Sequence, residues 1–119
     1  MKRGVGLDTC VVLRLLTGVP EEQFARARGF LGECQRVGEL VLVSDLVVAE
    51  VYHALLYYYD VPKRVALDTL RAFLGSSGVR CTGYAREILK GYRGTGAGLV
   101  DRLIRADLLT QTDRLVSFD

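Results

Sequence analysis

Four acidic residues stand out because each one interrupts or ends a segment of apolar residues: Asp8, Glu50, Asp101 and Asp119. Carboxylates that share one pocket repel one another, which raises their pKa values. A hard divalent cation such as Mg²⁺ or Mn²⁺ relieves that repulsion because it prefers oxygen ligands. Such an ion also activates water for attack on a phosphodiester and neutralises the charge that develops there. The four residues together therefore predict a metal-dependent hydrolytic site.

Glu50 lies in the least expected place, because residues 46–52 are apolar nearly all round a predicted helix. Such a helix is expected to be buried, and an ionised carboxylate within it is costly unless a partner offsets its charge. No basic residue lies three or four positions away, and His53, three positions on, is the only local candidate. A Glu50–His53 pair, or a position at the edge of the helix, is the structural alternative to a functional role.

The other three acids have structural alternatives as well. Asp8 could cap the helix that follows it, and that role is compatible with a catalytic one. Asp101 could form an exposed ion pair with Arg105, four residues further along the same helix. Asp119 ends the chain and could simply be frayed. Each signal is weak by itself, so the prediction depends on their conjunction.

Alternating strands and helices must position these residues. Apolar runs predict strands at residues 5–7, 40–43, 79–81 and 115–118. Helices are predicted at residues 9–16, 21–37, 45–59, 62–75, 84–92 and 99–109. This alternation predicts an α/β domain with a mainly parallel sheet. Functional sites in such sheets gather at the carboxyl ends of the strands, where Asp8 and Asp119 are expected.

Length and composition bound the class of protein. The 119 residues suit one compact domain, and they are 50% hydrophobic and 25% charged, as in a soluble globular protein. The net charge of +2 does not by itself indicate nucleic-acid binding, although arginine outnumbers lysine and suits phosphate better. No apolar stretch is long enough to span a membrane, and Asp8 and Arg14 interrupt the first apolar run, which argues against a signal peptide.

The cysteines favour a reducing compartment. Cys10, Cys34 and Cys81 are odd in number and form no C-x-x-C pair, which argues against a disulfide framework and a structural zinc site. All three have apolar neighbours, so the sequence predicts buried free thiols in a cytoplasmic protein.

Four segments of the chain resemble the PIN domain, and most closely its toxin-type, VapC-like members from toxin–antitoxin pairs. They are residues 6–13 (GLDTCVVL), 44–51 (SDLVVAEV), 100–106 (VDRLIRA) and 115–119 (LVSFD). The segments come in the family's order and at about its spacing. The resemblance covers the whole chain as organisation, with residues 1–119 as one PIN-like domain.

The resemblance implies a three-layer α/β/α sandwich with a mainly parallel central sheet. It also implies an Mg²⁺- or Mn²⁺-dependent endoribonuclease whose catalytic and metal-binding acids are Asp8, Glu50, Asp101 and Asp119. Thr9 and Ser117 match hydroxyl residues that orient carboxylates or water in the family. Members are often homodimers, and a small antitoxin protein that fills or covers the acidic groove inhibits them.

The chain departs from the family pattern in three places. The family usually continues past the fourth acid, so the end at Asp119 leaves open a C-terminal truncation and puts the placement of Asp119 in doubt. Arg102 and Arg105 stand where small or apolar residues are frequent, and they are expected to touch RNA phosphate or solvent. Asp45 is an additional acid near Glu50, expected to cap a helix rather than bind metal.

RNA binding should depend on basic residues around the rim, because an acidic centre without metal repels the RNA backbone. The candidates are Arg14, Lys90, Arg93 and Arg102.

Single residues disfavour two phosphoryl-transfer classes, and one non-enzymatic alternative remains. A receiver domain would have an acidic pair near the first strand, where Asp8 stands alone. A haloacid-dehalogenase-like phosphatase would have an acid two positions after the first, where Cys10 stands. The remaining alternative is a catalytically inactive PIN-like module that binds RNA or protein without cleaving it.

Overall fold

The computed structural model of the chain describes residues 4–117. Three short strands and six helices follow one another in the order β1 (Gly4–Gly6), α1 (Thr9–Thr17), α2 (Glu21–Val37), β2 (Leu40–Val43), α3 (Asp45–Tyr57), α4 (Lys63–Leu74), β3 (Val79–Cys81), α5 (Ala85–Gly91) and α6 (Leu99–Leu108). The predicted helices and the first three predicted strands are therefore confirmed, with ends that differ by at most two residues.

The strands form one parallel sheet in which β2 lies between β1 and β3. Val5 is in register with Val41, and Val41 is in register with Val79. Val41 and Val43 of β2 are buried, and the intervening leucines are half-buried. Burial on both faces is typical of a parallel strand covered by helices. The architecture is an α/β sandwich, which confirms the fold class predicted from the sequence.

The helices pack onto the sheet and onto one another through residues three and four positions apart. In α4 these are Leu67, Leu70 and Leu74, which are buried against β3 and α5. Val48, Val51 and Leu55 bury one side of α3. Because α3 contacts α1, α4 and α6, it links the elements that carry the candidate acids.

Local signals fix where the helices begin and end. The Ser44 hydroxyl accepts a hydrogen bond from the Val47 amide at 3.2 Å and caps α3. Pro20 precedes α2, whose first turn carries Glu21 and Glu22 at the positive end of the helix dipole. Gly38 ends α2 in the left-handed region, at φ 75°, which glycine adopts without strain.

The fourth predicted strand is not formed in the part of it that the structure describes. Residues 115–117 are irregular, and Val116 is 72% exposed. A β-branched apolar run becomes a strand only when a neighbouring strand pairs with it and buries one face. The last residue of the predicted strand, Phe118, and Asp119 after it lie outside the described residues.

The cysteines differ in their surroundings, although all three are free thiols. Cys34 is buried and Cys81 is half-buried, but the prediction of burial is wrong for Cys10, which is exposed. The reason is that α1 packs through Val12 and Leu13, whereas Cys10 lies exposed in the first turn of the helix. Burial raises the pKa of the Cys81 thiol, with a smaller contribution from the charge of Asp45.

Between residues 4 and 117, every helix is too short or too polar to cross a bilayer.

Candidate active site

Asp8 lies two residues beyond the end of β1 and immediately before α1. Its Oδ1 accepts a hydrogen bond from the Val11 amide at 3.0 Å, so Asp8 is the N-cap of α1. Its Oδ2 has no hydrogen-bond partner among residues 4–117, and the residue is exposed. The capping alternative is therefore correct, and it leaves one carboxylate oxygen open to solvent.

Glu50 is exposed, so the prediction that it would be buried is wrong. Helix α3 is apolar nearly all round, yet its neighbours cover only the side that carries residues such as Val48 and Val51. The opposite side faces solvent and includes Leu46, which is 73% exposed. The all-round apolar pattern therefore reflects an exposed apolar surface rather than a fully buried helix.

Glu50 has one described partner, and it is not His53. The Thr9 hydroxyl donates a hydrogen bond of 2.5 Å to Glu50 Oε1. The His53 ring instead lies against the Tyr57 ring, with 4.7 Å between centroids. Because Thr9 directly follows Asp8, the Thr9–Glu50 contact brings the start of α1 next to α3.

Asp101 lies in the first turn of α6, the helix that packs against α3 and α5. Its Oδ2 accepts a hydrogen bond of 3.0 Å from Arg105 Nε, and both side chains are about half exposed. The ion pair considered from the sequence is therefore formed. An exposed pair of this kind is worth little to stability, so it leaves Asp101 free to exchange Arg105 for another partner.

The structure brings Glu50 next to the Asp8–Thr9 turn, but it does not gather three candidate acids. Within residues 4–117 there is no group of three His, Cys, Asp or Glu side chains close enough to hold a metal ion. Asp119, the fourth predicted acid, lies outside this range, and Ser117 is exposed two residues before it.

The donor set nevertheless fits a hard divalent cation in its chemistry. Asp8, Glu50 and Asp101 are exposed and offer only carboxylate oxygens, which Mg²⁺ and Mn²⁺ prefer. Glu50 Oε2 and Asp8 Oδ2 have no hydrogen-bond partner in the described part of the chain, so neither oxygen must give up a bond to coordinate an ion.

Asp45, the additional acid, is fully used by a hydrogen-bond network. Its Oδ1 and Oδ2 accept bonds from the Tyr84 amide at 3.0 and 2.9 Å, and Oδ1 accepts another from the Ala85 amide at 2.9 Å. Asp45 therefore caps a helix, as expected, but the helix is α5, because Ser44 already caps α3. A Cβ atom on Gly83 would lie 2.3 to 2.7 Å from the Asp45 carboxylate, so only glycine fits there.

The four basic residues predicted to bind RNA lie in different surroundings. Arg14 donates to Gln23 at 2.6 Å, Lys90 pairs with Glu87, and Arg93 donates to the Lys90 carbonyl at 3.1 Å. Sequence reasoning did not anticipate the environment of Arg102, which is half-buried rather than solvated.

Arg102 holds the glycine-rich loop before α6. It donates to the carbonyls of Ala97 and Thr95, at 2.8 and 3.1 Å, and its guanidinium lies 4.5 Å from the centre of the Tyr92 ring. This is a structural role, because all three contacts are with the chain itself.

Comparison with known proteins gives a family match across almost the whole chain. The family model of the PIN domain matches residues 5–119. Neither the curated proteins nor the solved structures include a significant match to the chain.

Proposed function

Because this chain belongs to the PIN domain family, whose members are in general nucleases, we propose that it is an Mg²⁺- or Mn²⁺-dependent endoribonuclease. The proposed catalytic and metal-binding residues are Asp8, Glu50, Asp101 and Asp119, with Thr9 and Ser117 as supporting hydroxyls.

The observation that carries this proposal is the hydrogen bond from Thr9 to Glu50. It joins two segments that are far apart in the chain, and each of them contributes an exposed carboxylate with an unengaged oxygen. A hydroxyl that fixes one oxygen of a carboxylate also fixes the direction in which the other oxygen points. The arrangement therefore supports a preorganised site rather than two unrelated surface charges.

The proposed mechanism gives the metal ion and the protein residues different roles. A bound divalent ion would lower the pKa of the water that it coordinates, and it would offset the negative charge that develops on the phosphate. Asp8 is held by its capping bond at Oδ1, and its Oδ2 has no partner among residues 4–117. Glu50, oriented by Thr9, can accept a hydrogen bond from the attacking water at Oε2. Asp101 is the third proposed ligand, and it would bind the ion in place of its partner Arg105.

We also propose the biological setting that the resemblance implies. The protein would be the toxin of a toxin–antitoxin pair, acting on RNA in the cytoplasm and inhibited by a small antitoxin protein.

A homodimer is supported by the stripe of exposed apolar residues along α6, namely Val100, Ile104 and Leu108. An exposed apolar stripe of this kind suits a second copy of the same helix. Light scattering of the purified chain tests the dimer.

A second candidate is a PIN-like module that binds RNA or protein without cleaving it. Two observations favour it: the described residues hold no three-carboxylate group, and Asp101 is paired with Arg105. The candidates differ in their response to metal, since an ion that binds only the folded state raises the melting temperature. The nuclease is expected to be stabilised by Mn²⁺, whereas the inert module is not.

The proposed function is tested by cleavage of a labelled single-stranded RNA with and without Mn²⁺. We expect Glu50→Gln and Asp101→Asn each to lower the cleavage rate by at least about 100-fold, because each removes the negative charge of a proposed metal-binding carboxylate. Asp113→Asn is the matched control, since Asp113 is exposed and makes no described contact. Parent-like cleavage by both site variants, or cleavage unaffected by a chelator, contradicts the proposal.

A further inference from the structure

A cavity of about 520 Å³ lies between the start of α4, the end of α5 and the loop that follows α5. Four of its lining residues are basic, namely Lys63, Arg64, Arg71 and Arg93, and one is acidic, Asp68. We call this feature the basic cavity. The candidate acids that the structure describes, Asp8, Glu50 and Asp101, do not line it. Of the four predicted RNA-binding residues, only Arg93 does.

One of the four positive charges is neutralised within the cavity. Arg71 pairs with Asp68 at 2.7 Å and also donates to the carbonyls of Leu89 and Tyr92, at 2.8 and 3.0 Å. These bonds tie α4 to the carboxyl end of α5. Arg71 is therefore held in place at the side of the cavity, and Asp68 neutralises its positive charge.

The other three positive charges have no anionic partner among residues 4–117. Lys63 Nζ donates to the Gly94 carbonyl at 2.7 Å, and Arg93 donates to the Lys90 carbonyl. Arg64 makes no described hydrogen bond or ion pair and is exposed. The carbonyl oxygens orient Lys63 and Arg93 but do not neutralise their charges. With Arg64, the basic cavity therefore has a local excess of three positive charges.

The start of α4 adds to this positive potential. Its N-cap position is Pro62, which supplies no side-chain cap, and the first turn has no acidic residue. Lysine and arginine at the positive end of a helix dipole are unfavourable unless an anion lies nearby. Helix α2 shows the ordinary arrangement, with Glu21 and Glu22 in its first turn. The start of α4 therefore departs from a local stability rule, as functional sites often do.

We propose that the basic cavity binds a phosphate group of the RNA backbone and so holds the substrate at a second point, formed by residues other than the candidate carboxylates. This inference rests on the proposed function for the identity of the substrate as RNA. Guanidinium groups match phosphate oxygens in geometry as well as charge, and Arg64 and Arg93 have N–H groups free to donate. A second point of attachment offsets the repulsion between the acidic residues and the RNA backbone.

The test is RNA affinity measured without catalysis. A fluorescent single-stranded RNA is titrated with the full chain in the presence of a chelator, and anisotropy reports binding over a range of salt concentrations. We expect Arg64→Glu to weaken binding, and Arg64→Glu with Arg93→Glu to weaken it about tenfold or more at low salt. The slope of log affinity against log salt should fall by about 1 for each phosphate that the variant no longer binds. Arg64→Lys keeps the charge and should bind nearly as the parent does.

The matched control is Arg28→Glu, because Arg28 is an exposed arginine of α2 with no described partner and lies outside the basic cavity. Equal weakening by Arg28→Glu and Arg64→Glu would show that only overall charge matters, and it overturns the proposal. An RNA affinity that is unchanged by Arg64→Glu also overturns it. This holds even if the parent protein binds inorganic phosphate. A decrease in affinity that is specific to Arg64 and Arg93 supports it.

Failure of this inference can be told apart from failure of the proposed function. If the parent protein binds RNA through Arg64 but does not cleave it in Mn²⁺, the basic cavity is supported and the proposed nuclease function is contradicted. If the parent protein cleaves RNA in Mn²⁺ but Arg64→Glu does not change its RNA affinity, the nuclease function is supported and the role of the basic cavity is contradicted.

Discussion

Asp8 and Asp45 occupy equivalent places in neighbouring βα units, and the chain uses them differently. Each lies two residues beyond the end of its strand, β1 for Asp8 and β2 for Asp45. Asp8 is exposed and caps the helix that follows it with one oxygen. Asp45 is half-buried, and both of its oxygens accept amide hydrogen bonds from the start of α5.

A position at the carboxyl end of a parallel strand therefore does not by itself give a carboxylate a catalytic role. What matters is how many oxygens the fold leaves unengaged. Asp8 keeps one, and its neighbour Thr9 orients Glu50. Asp45 keeps none, and the absence of a side chain at Gly83 makes room for it. The comparison therefore supports the proposal that Asp8 belongs to the site, whereas the bonds of Asp45 indicate a role in the stability of the fold.

Substitution of Asp45 is expected to lower the stability of the fold most. Replacing it with alanine leaves the amides of Tyr84 and Ala85 without their acceptor, which should lower the free energy of unfolding by about 2 kcal/mol. Gly83→Ala should destabilise the protein to a similar extent, because the added Cβ collides with the carboxylate. Urea unfolding of each variant measures both effects.

Asp113→Ala is the control for that series, since it removes an exposed aspartate with no described contact. Its free energy of unfolding should stay within about 0.5 kcal/mol of the parent's. An Asp45→Ala variant as stable as this control would break the comparison, because Asp45 would then be as free as Asp8.

A smaller effect is expected at Thr9. Thr9→Val removes the hydroxyl that holds Glu50 Oε1 while keeping the shape of the side chain. Removal of a residue that orients a metal ligand typically costs about 10-fold in affinity or activity. We therefore expect about tenfold weaker Mn²⁺ binding by calorimetry, with Thr9→Ser close to the parent. If Thr9→Val binds Mn²⁺ as tightly as Thr9→Ser does, the hydroxyl does not position Glu50.

The smallest effect concerns the thiols beside the two aspartates. Cys10 follows Asp8 by two residues and is exposed, whereas Cys81 is half-buried near Asp45. Burial raises the pKa of the Cys81 thiol, so a smaller fraction of it is the reactive thiolate at mildly alkaline pH. A disulfide reagent should therefore modify Cys10 in the folded protein well before Cys81. Cys10→Ser should remove the fast phase, and a fast phase that persists contradicts this assignment.

Much of the fold could be predicted because its signals are local. Pro20 with Glu21 and Glu22 indicates where α2 begins, and Gly38 indicates where it ends. The apolar run at β2 indicates a strand covered on both faces. Helix and strand boundaries of this kind depend on neighbours in the sequence, which are visible without the structure.

The parts that could not be predicted depend on tertiary neighbours. The exposure of Glu50 follows from which side of α3 is covered, and an all-round apolar pattern does not contain that information. The role of Asp45 follows from the pairing of β2 with β3, which brings Gly83 to it. One sequence signal for the basic cavity was overlooked, namely Lys63 and Arg64 directly after Pro62 at a helix start.

The most direct test of the central claim is the rate of Mn²⁺-dependent RNA cleavage by Asp8→Asn, measured beside its melting temperature. Asparagine caps a helix about as well as aspartate does, so the melting temperature without metal should match the parent's. The cleavage rate should fall by at least about 100-fold, because the free carboxylate oxygen is removed. A folded Asp8→Asn variant that cleaves RNA at the parent's rate in the same Mn²⁺ concentration would contradict the account.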